Sequence, residues 1–309
     1  MIGVISNPGA GKNAGNPTRI DRLRQILGSD GVVRETQTCE EILDTIREFR
    51  RGEISILAID GGDGTLHHAL SAFIPIYDGT DLPPIALLRG GTMNTIANSL
   101  GIRGPSEAIL QRIVSTVREQ VPFEVVRTNT LKVNDRYGFI FGLGFPVNLL
   151  KAYYQGEGRG PAKAIRVLLR VLLSMLGKGD TDSSFFRPFE AEIWLDRKRL
   201  PRGRYTALLG ATVEEVGLGF KPTRRAREKE GLFQALCLGT GPKKSGLNAL
   251  RVLLGMQLRG ERLVDRMVRR SVIKLEKPAD IQIDGEIFEN QKEIRLHVGP
   301  VIRCIRTRP

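Results

Sequence analysis

Within residues 1–90 short apolar runs alternate with helical patterns, without any internal repeat of sequence. The runs are MIGVIS, GVVRE, EISILAID and PPIALLRG. Each is too short for a buried helix, and the first three are rich in β-branched residues, so each reads as a strand. After the first run, Asn16 and Pro17 suit a cap and a first helical residue, with Ile20, Leu23, Ile26 and Leu27 on one face and Gly28 as the stop. After the second, Thr38 to Glu41 form a capping box that opens the helix EEILDTIREFRR, closed by Gly52. TLHHALSAF and NTIANSL follow the third and fourth, and PSEAILQRIVSTVRE adds another helix. Strands alternating with helices predict a parallel sheet covered on both faces. In such sheets ligands bind at the carboxyl ends of the strands, where three glycine-bearing loops fall, after the first, third and fourth runs.

The rhythm changes near residue 123. FEVVRTNTLKVNDRYGFIFGLGF, FEAEIWLDRKRL, RYTALLGATV, LFQALCLG, SVIKLEKPADIQIDGEIF and EIRLHVG read as strands and turns, with hairpins at Asn134-Asp135 and Asp284-Gly285. The expectation is an α/β chain of two domains. Residues 1–122 form a parallel-sheet domain and 123–294 an antiparallel, β-sandwich-like one. Two segments break the β pattern. Residues 162–176, AKAIRVLLRVLLSML, carry Lys163, Arg166, Arg170 and Ser174 on one narrow stripe of an otherwise apolar surface. Residues 247–258 repeat the idea with Asn248, Arg251 and Gly255. A wide apolar face with a basic edge suits a helix lying in a membrane interface, and equally a buried helix with snorkelling arginines.

Charge sharpens the division. Residues 1–125 hold 12 Lys+Arg against 15 Asp+Glu, whereas residues 126–309 hold 35 against 19, so the formal +13 comes entirely from the second part. That field attracts polyanions such as nucleic acid or an anionic bilayer. An aromatic content of 6% without aromatic–basic interleaving counts against nucleic acid. The three cysteines, Cys39, Cys237 and Cys304, have neither metal spacing nor a disulfide framework, which suits a reducing compartment. The N-terminal apolar run is too short for a signal peptide, and no stretch reaches the length of a membrane span.

The chemistry concentrates in the glycine loops. Gly61-Gly62-Asp63-Gly64-Thr65 joins a strand to a helix. Bare N–H groups and the positive end of the helix dipole make it a credible polyphosphate cradle. An acid there fits if a Mg²⁺ lies between Asp63 and phosphate, or if Asp63 takes a proton from an incoming hydroxyl; it also fits a helix cap. Gly9-Ala10-Gly11-Lys12-Asn13-Ala14 matches the dinucleotide fingerprint on paper, with Glu35 ending the next strand, but Pro8 is out of place in it and the loop is no Walker A motif. Lys12 is able to reach a phosphate. Arg89-Gly90-Gly91-Thr92-Met93-Asn94 is a third loop whose hydroxyl and amide suit a nucleotide.

In this order, Asn7-Pro8-Gly9-Ala10-Gly11-Lys12, Gly61-Gly62-Asp63-Gly64-Thr65, Gly91-Thr92-Met93-Asn94 and Asp284-Gly285-Glu286 resemble the diacylglycerol kinase catalytic family, which includes sphingosine, ceramide and bacterial lipid kinases. The resemblance covers nearly the whole chain, strongly at the four motifs and weakly between them. It implies an α/β nucleotide domain, a β-rich lipid-binding domain with ATP in the cleft between them, and a chain end, about 295–309, that returns to the first domain. On that pattern Asn7, Pro8, Gly9, Ala10, Gly11, Lys12, Thr36, Gly61 to Thr65, Gly91, Thr92 and Asn94 line the ATP site, and Glu286 is the general base. Gly142 to Phe145 and Gly217 to Pro222 resemble glycine-bearing segments of the family's second domain. Departures are His67-His68 where the family has Asn-Glu, Thr95 where an Asp is common, and Lys229-Glu230-Gly231 where Asp-Asp-Gly often holds a structural Mg²⁺. Thr95 puts the metal–water network of some bacterial members in doubt. The lysine argues against the structural ion. The two histidines cannot share a helix face and read as partly exposed polar positions.

The expected activity is that of a cytoplasmic lipid kinase, peripheral to the inner face of the membrane. It would use ATP and Mg²⁺ to phosphorylate the hydroxyl of diacylglycerol, ceramide or a sphingoid base. Glu286 or Asp63 would act as base, Asp63 would meet the metal through ATP-bound Mg²⁺, and Arg166, Leu169, Arg170 and Leu173 would face the lipid. Alternatives are a kinase of a soluble nucleotide cofactor, since NAD kinases share the GGDGT loop, and a catalytically silent lipid- or nucleotide-binding protein. Oligomeric state stays open, a homodimer included.

Overall fold

The computed structural model describes residues 1–16, 18–155, 162–163, 165–167, 183–217, 219–239, 251 and 263–307. The chain divides into two units, Met1–Thr128 with Pro300–Pro309, and Asn129–Gly299. The first boundary falls later than the change of rhythm at residue 123, because strand β5 (Val125–Val133) runs through it.

In the first unit, strands β1 (Ile2–Ser6), β2 (Gly31–Glu35), β3 (Ile56–Asp60) and β4 (Ile85–Leu87) lie parallel in the order β2–β1–β3–β4. β1 and β3 are buried at every position, which explains their unbroken apolar runs. The end of β15 (Glu286–Ile305) joins in parallel beside β4, with Cys304 opposite Ile85. The order reverses at β1, whose neighbours are the next strand on one side and β3 on the other. The reversal sets the loops after β1 and β3 side by side, with Ser6 opposite Asp60 in register.

Helices cover this sheet through apolar stripes. In α2 (Cys39–Arg51) these are Ile42, Ile46 and Phe49. In α3 (Asp63–Ile76) they include Leu66, Leu70 and Phe73. The capping box at Thr38 and Glu41 forms, and Gly52 closes α2. Helix α1 (Arg19–Leu27) starts two residues later than its sequence suggests, with Thr18 as cap. The Asn16 carbonyl oxygen of the side chain is taken by the Thr18 hydroxyl at 3.2 Å, so it does not cap the helix. Gly28, at φ 52°, ends α1 as expected. Two more helices, α4 (Thr95–Ser99) and α5 (Ser106–Arg118), complete the unit.

The second unit is antiparallel. It contains β6 (Arg136–Gly138), β7 (Ile140–Gly144), helix α6 (Phe145–Tyr154), β8 (Phe189–Leu195), β9 (Lys198–Arg199), β10 (Gly203–Tyr205), β11 (Ala207–Ala211), β12 (Phe233–Leu238), β13 (Leu263–Val268) and β14 (Arg270–Ile283). The order β13–β12–β11–β7–β14–β15 makes its main path. β14 pairs with β8 along its first half and with β7 along its second, and its register against β15 shifts between Lys274 and Ala279. Such an irregularity bends a strand and lets it serve two sheet segments around one core. Phe141, Leu143, Ile193, Phe233, Ile273, Ile281, Ile294 and Leu296 fill that core. Both anticipated hairpins form. β5 turns into β6 at Asn134 (φ 53°), and β14 turns into β15 at Asp284 (φ 49°) and Gly285 (φ 93°).

Of the residues expected to face lipid, Arg166 is exposed beside the exposed Ile165, with Val167 buried. Leu169, Arg170 and Leu173 lie outside the described residues, as does the segment 247–258 apart from Arg251. Among the described residues no helix is long and apolar enough to cross a membrane.

Candidate nucleotide site in the first unit

Three glycine loops meet at the carboxyl ends of β1, β3 and β4. Their backbones approach so closely that side chains have no room. A Cβ on Gly91 would overlap Cα of Gly62, one on Gly11 would overlap the Thr92 hydroxyl, and one on Gly61 would strike Thr65. Hydrogen bonds tie the loops together. Gly91 N donates to the Gly61 carbonyl (2.9 Å), and Lys12 N to the Gly90 carbonyl (2.9 Å). Within the first loop the Asn7 side chain accepts from Gly9 N (2.8 Å) and donates to the Thr65 hydroxyl (3.1 Å). In the third, Asn94 holds a left-handed backbone at φ 50° and exchanges two hydrogen bonds with Gly91.

Below the loops lies a buried ionic network that the sequence reading did not anticipate. Asp60, the last residue of β3, is fully buried. Its carboxylate accepts from Arg19 Nε (2.9 Å) and Nη2 (2.6 Å), from the Ser6 hydroxyl (2.9 Å) and from Asn13 (3.1 Å). Arg19 also donates to Ser106, whose hydroxyl donates to the Leu88 carbonyl. The bond to Asp60 holds the Arg19 guanidinium more firmly charged than usual. One carboxylate thereby joins β1, β3, the first loop, α1 and the start of α5. The available signal was an acid closing an otherwise apolar strand, which needs a buried cation. Arg19 stands ahead of the apolar stripe of α1 and looks like a surface residue in sequence.

Asp63 is half-buried at the first position of α3. Its carboxylate oxygens accept the backbone N–H groups of Thr95 (2.9 Å) and Ile96 (3.1 Å), so it caps α4 rather than its own helix. Burial pushes its carboxyl upward, against these bonds and one from the Thr95 side chain, which pull it down. The cap residue of α3 is Gly62, which has no side chain to offer the first-turn N–H groups. A 14-residue helix thus presents its uncapped positive end beside two bare loops, the arrangement that phosphate oxygens favour.

The cations around it point the same way. Lys12 is exposed, and its ammonium enters no hydrogen bond or ion pair among the described residues. Partial burial, then Arg89, then Arg19, lower its pKa. Arg89, at φ 60°, is anchored on Asn98 (2.8 Å) and the Ile102 carbonyl (2.5 Å), and burial and Arg103 lower its pKa. An anion here relieves that mutual repulsion.

Thr36 and His67 sit differently. Thr36 directly follows β2, with a fully buried hydroxyl that meets no hydrogen-bond partner among the described residues and an N–H that donates to the Ser6 carbonyl. His67 is fully buried in α3 rather than partly exposed, while His68 is half-buried with its Nδ1 3.5 Å from the Cys39 sulfur. α3 packs against the sheet on one side and α2 on the other, which leaves little of its surface free.

In the second unit the Asp284-Gly285-Glu286 turn divides its labour. Asp284 is buried and accepts from Phe139 N (3.0 Å) and Ile140 N (2.8 Å), fastening the turn to the β6–β7 link. Gln282 accepts from Gly285 N, and the Tyr154 hydroxyl donates to the Gly285 carbonyl, both at 2.9 Å. Glu286 is half-buried and enters no hydrogen bond or ion pair among the described residues. A fixed turn therefore carries one uncommitted carboxylate.

Comparison with known proteins finds a family likeness in the region of the glycine loops. Residues 1–126 match the diacylglycerol kinase catalytic domain. The chain is 29% identical over 133 residues to a protein named probable lipid kinase YegS from Salmonella arizonae, an overlap of 42% of each chain. A namesake from Salmonella dublin is 28% identical over 127 residues. The chain thus aligns with less than half the length of these curated relatives. By structure it resembles a diacylglycerol kinase from Bacillus anthracis str. Sterne at a TM-score of 0.71 and 17% identity, covering 99% of this chain and 96% of that one. That likeness shows the same fold, from the parallel sheet through the antiparallel strands. The domain match covers all three glycine loops and the buried Arg19–Asp60 pair, and stops before the Glu286 turn.

Proposed function

We propose that this protein is an ATP-dependent lipid kinase that transfers the γ-phosphoryl group to the hydroxyl of a membrane lipid alcohol such as diacylglycerol, ceramide or a sphingoid base. The observation that carries the reading is the set of three interlocked glycine loops at the end of a parallel sheet, with Lys12 and Arg89 beside them, inside the region that matches a kinase catalytic domain. Phosphoryl transfer needs mainly positioning and charge neutralisation, which bare N–H groups and cations supply. Lys12 engages the outer phosphates. Gly61 to Thr65 and Gly91 to Asn94 hold the remainder through backbone groups.

Among the described residues no cluster of three His, Cys, Asp or Glu side chains could hold a metal. Asp63 is the residue that would meet a Mg²⁺ carried in on the nucleotide. When bound, the ion neutralises developing charge on the phosphates. Glu286 takes the proton of the lipid hydroxyl, a role that suits a carboxylate on a fixed turn with no other partner among the described residues. The excess of Lys and Arg after residue 125 favours work at an anionic bilayer, peripheral to the inner face of the membrane.

Purified protein incubated with γ-labelled ATP and Mg²⁺ over mixed micelles of diacylglycerol, monoacylglycerol, ceramide and sphingosine should label at least one lipid. Labelling of none, or of NAD instead, would overturn the proposal.

A further inference from the structure

In the second unit, a groove of about 660 Å³ opens where the β8–β9 turn meets β13 and the segment before β12. Four cations line it, Arg197, Lys198, Arg225 and Arg266, against two carboxylates, Asp196 and Asp265. Both acids are already engaged. Asp196, at φ 54° in the tight turn, accepts from the backbone N–H groups of Arg269 and Arg270, each at 3.0 Å. Asp265 accepts from the Gln234 amide (2.9 Å) and faces Arg225 at 3.6 Å. Gln234 is 1% exposed and also accepts from Arg225 N (2.9 Å), so one buried amide holds both Asp265 and the Arg225 backbone. The groove is shallow and open, with its two acids and Arg225 held in place.

Its remaining cations are unspent. Arg197, Lys198 and Arg266 are exposed, and none enters a hydrogen bond or ion pair among the described residues. The neighbouring Arg199 differs, bonding Glu192 and lying over Trp194. Two guanidinium forks and an ammonium facing one concavity, with its acids occupied, match the oxygens of a phosphate monoester better than a carboxylate or a neutral ligand.

We propose that this groove is an anion site for a phosphate monoester group, separate from the nucleotide loops of the first unit. The group is carried either by a lipid headgroup or by a soluble phosphate. The inference does not depend on kinase activity.

Three proteins decide it, each full length: wild type, the groove variant R197Q/K198Q/R266Q, and a control, R204Q/K277Q/K292Q, that removes the same charge from exposed positions outside the groove. One arm measures co-sedimentation with phosphatidylcholine vesicles, with and without phosphatidic acid, at physiological salt. The other titrates inorganic pyrophosphate by calorimetry, with the nucleotide loops filled by a non-hydrolysable ATP analogue. At about fivefold for each charged hydrogen-bond donor lost, the groove variant should lose about a hundredfold in the arm that reports binding, while the control stays near wild type. Loss on phosphatidic acid vesicles assigns the site to a lipid headgroup. Loss of pyrophosphate binding with vesicles ignored assigns it to a soluble phosphate. Equal loss in both variants, no loss in the groove variant, or no binding by wild type in either arm overturns the proposal.

Discussion

Lys12 is the side chain whose behaviour should be most readily measured. Its lowered pKa means that the folded protein disfavours its charge, first through burial and then through Arg89 and Arg19. The charged form therefore costs stability at neutral pH, and the cost is relieved as pH rises through the lowered pKa towards the ordinary lysine value. A bound triphosphate reverses the shift. ATP affinity should accordingly begin to fall with rising pH before the usual lysine range is reached, and K12M should lose both that limb and about tenfold in affinity at pH 7, by calorimetry. The thiols offer a second test at this scale. Burial pushes Cys237 up to about 12, Cys304 is buried, and Cys39 is exposed. One thiol per native chain should react promptly with a disulfide reagent at pH 8, and C39S should abolish that fast phase. Two fast thiols would contradict the packing around β12 or the end of β15.

Loops and helices respond to their closest approaches. Gly91 has no room for a Cβ against Gly62, so G91A should separate the second and third loops and weaken ATP at least tenfold while the chain stays folded. The Arg19–Asp60 pair acts below them. Removing one partner strands a buried charge, at a cost of about 3–5 kcal/mol, so R19M and D60N should each lower the urea midpoint far more than T38A, which removes only a helix cap worth about 1 kcal/mol. The double change R19M/D60N should cost less than the sum of the single ones. These elements also mark what sequence could reveal. The loops were legible because each lies in a contiguous run whose bareness has few other uses. The Asp60 network was not, because its members come from five separate segments and its arginine sits just ahead of an ordinary amphipathic stripe. The start of α1 was misread for a local reason, the capture of the Asn16 side chain by Thr18. His67 was misread for a tertiary one, since α3 is covered by α2 as well as by the sheet.

At the scale of the molecule the change from alternating to antiparallel elements, and the charge imbalance that accompanies it, were visible before any coordinates. The route of β15 was not derivable from residue patterns, since a strand that leaves the second unit at Gly299 and continues in the first at Pro300 shows no break in its sequence. The split of roles within Asp284-Gly285-Glu286 was equally hidden, because two acids in one turn look alike until their partners are seen. In the proposed reaction the first unit binds the nucleotide and a turn of the second removes the proton. Its most direct test is E286Q, assayed for lipid phosphorylation and for ATP affinity on the same preparation. Turnover should fall by about 10²–10⁴-fold with nucleotide affinity within about twofold of wild type. Unchanged turnover would contradict the assignment of the base, and a parallel collapse of ATP affinity would contradict the separation of roles between the units.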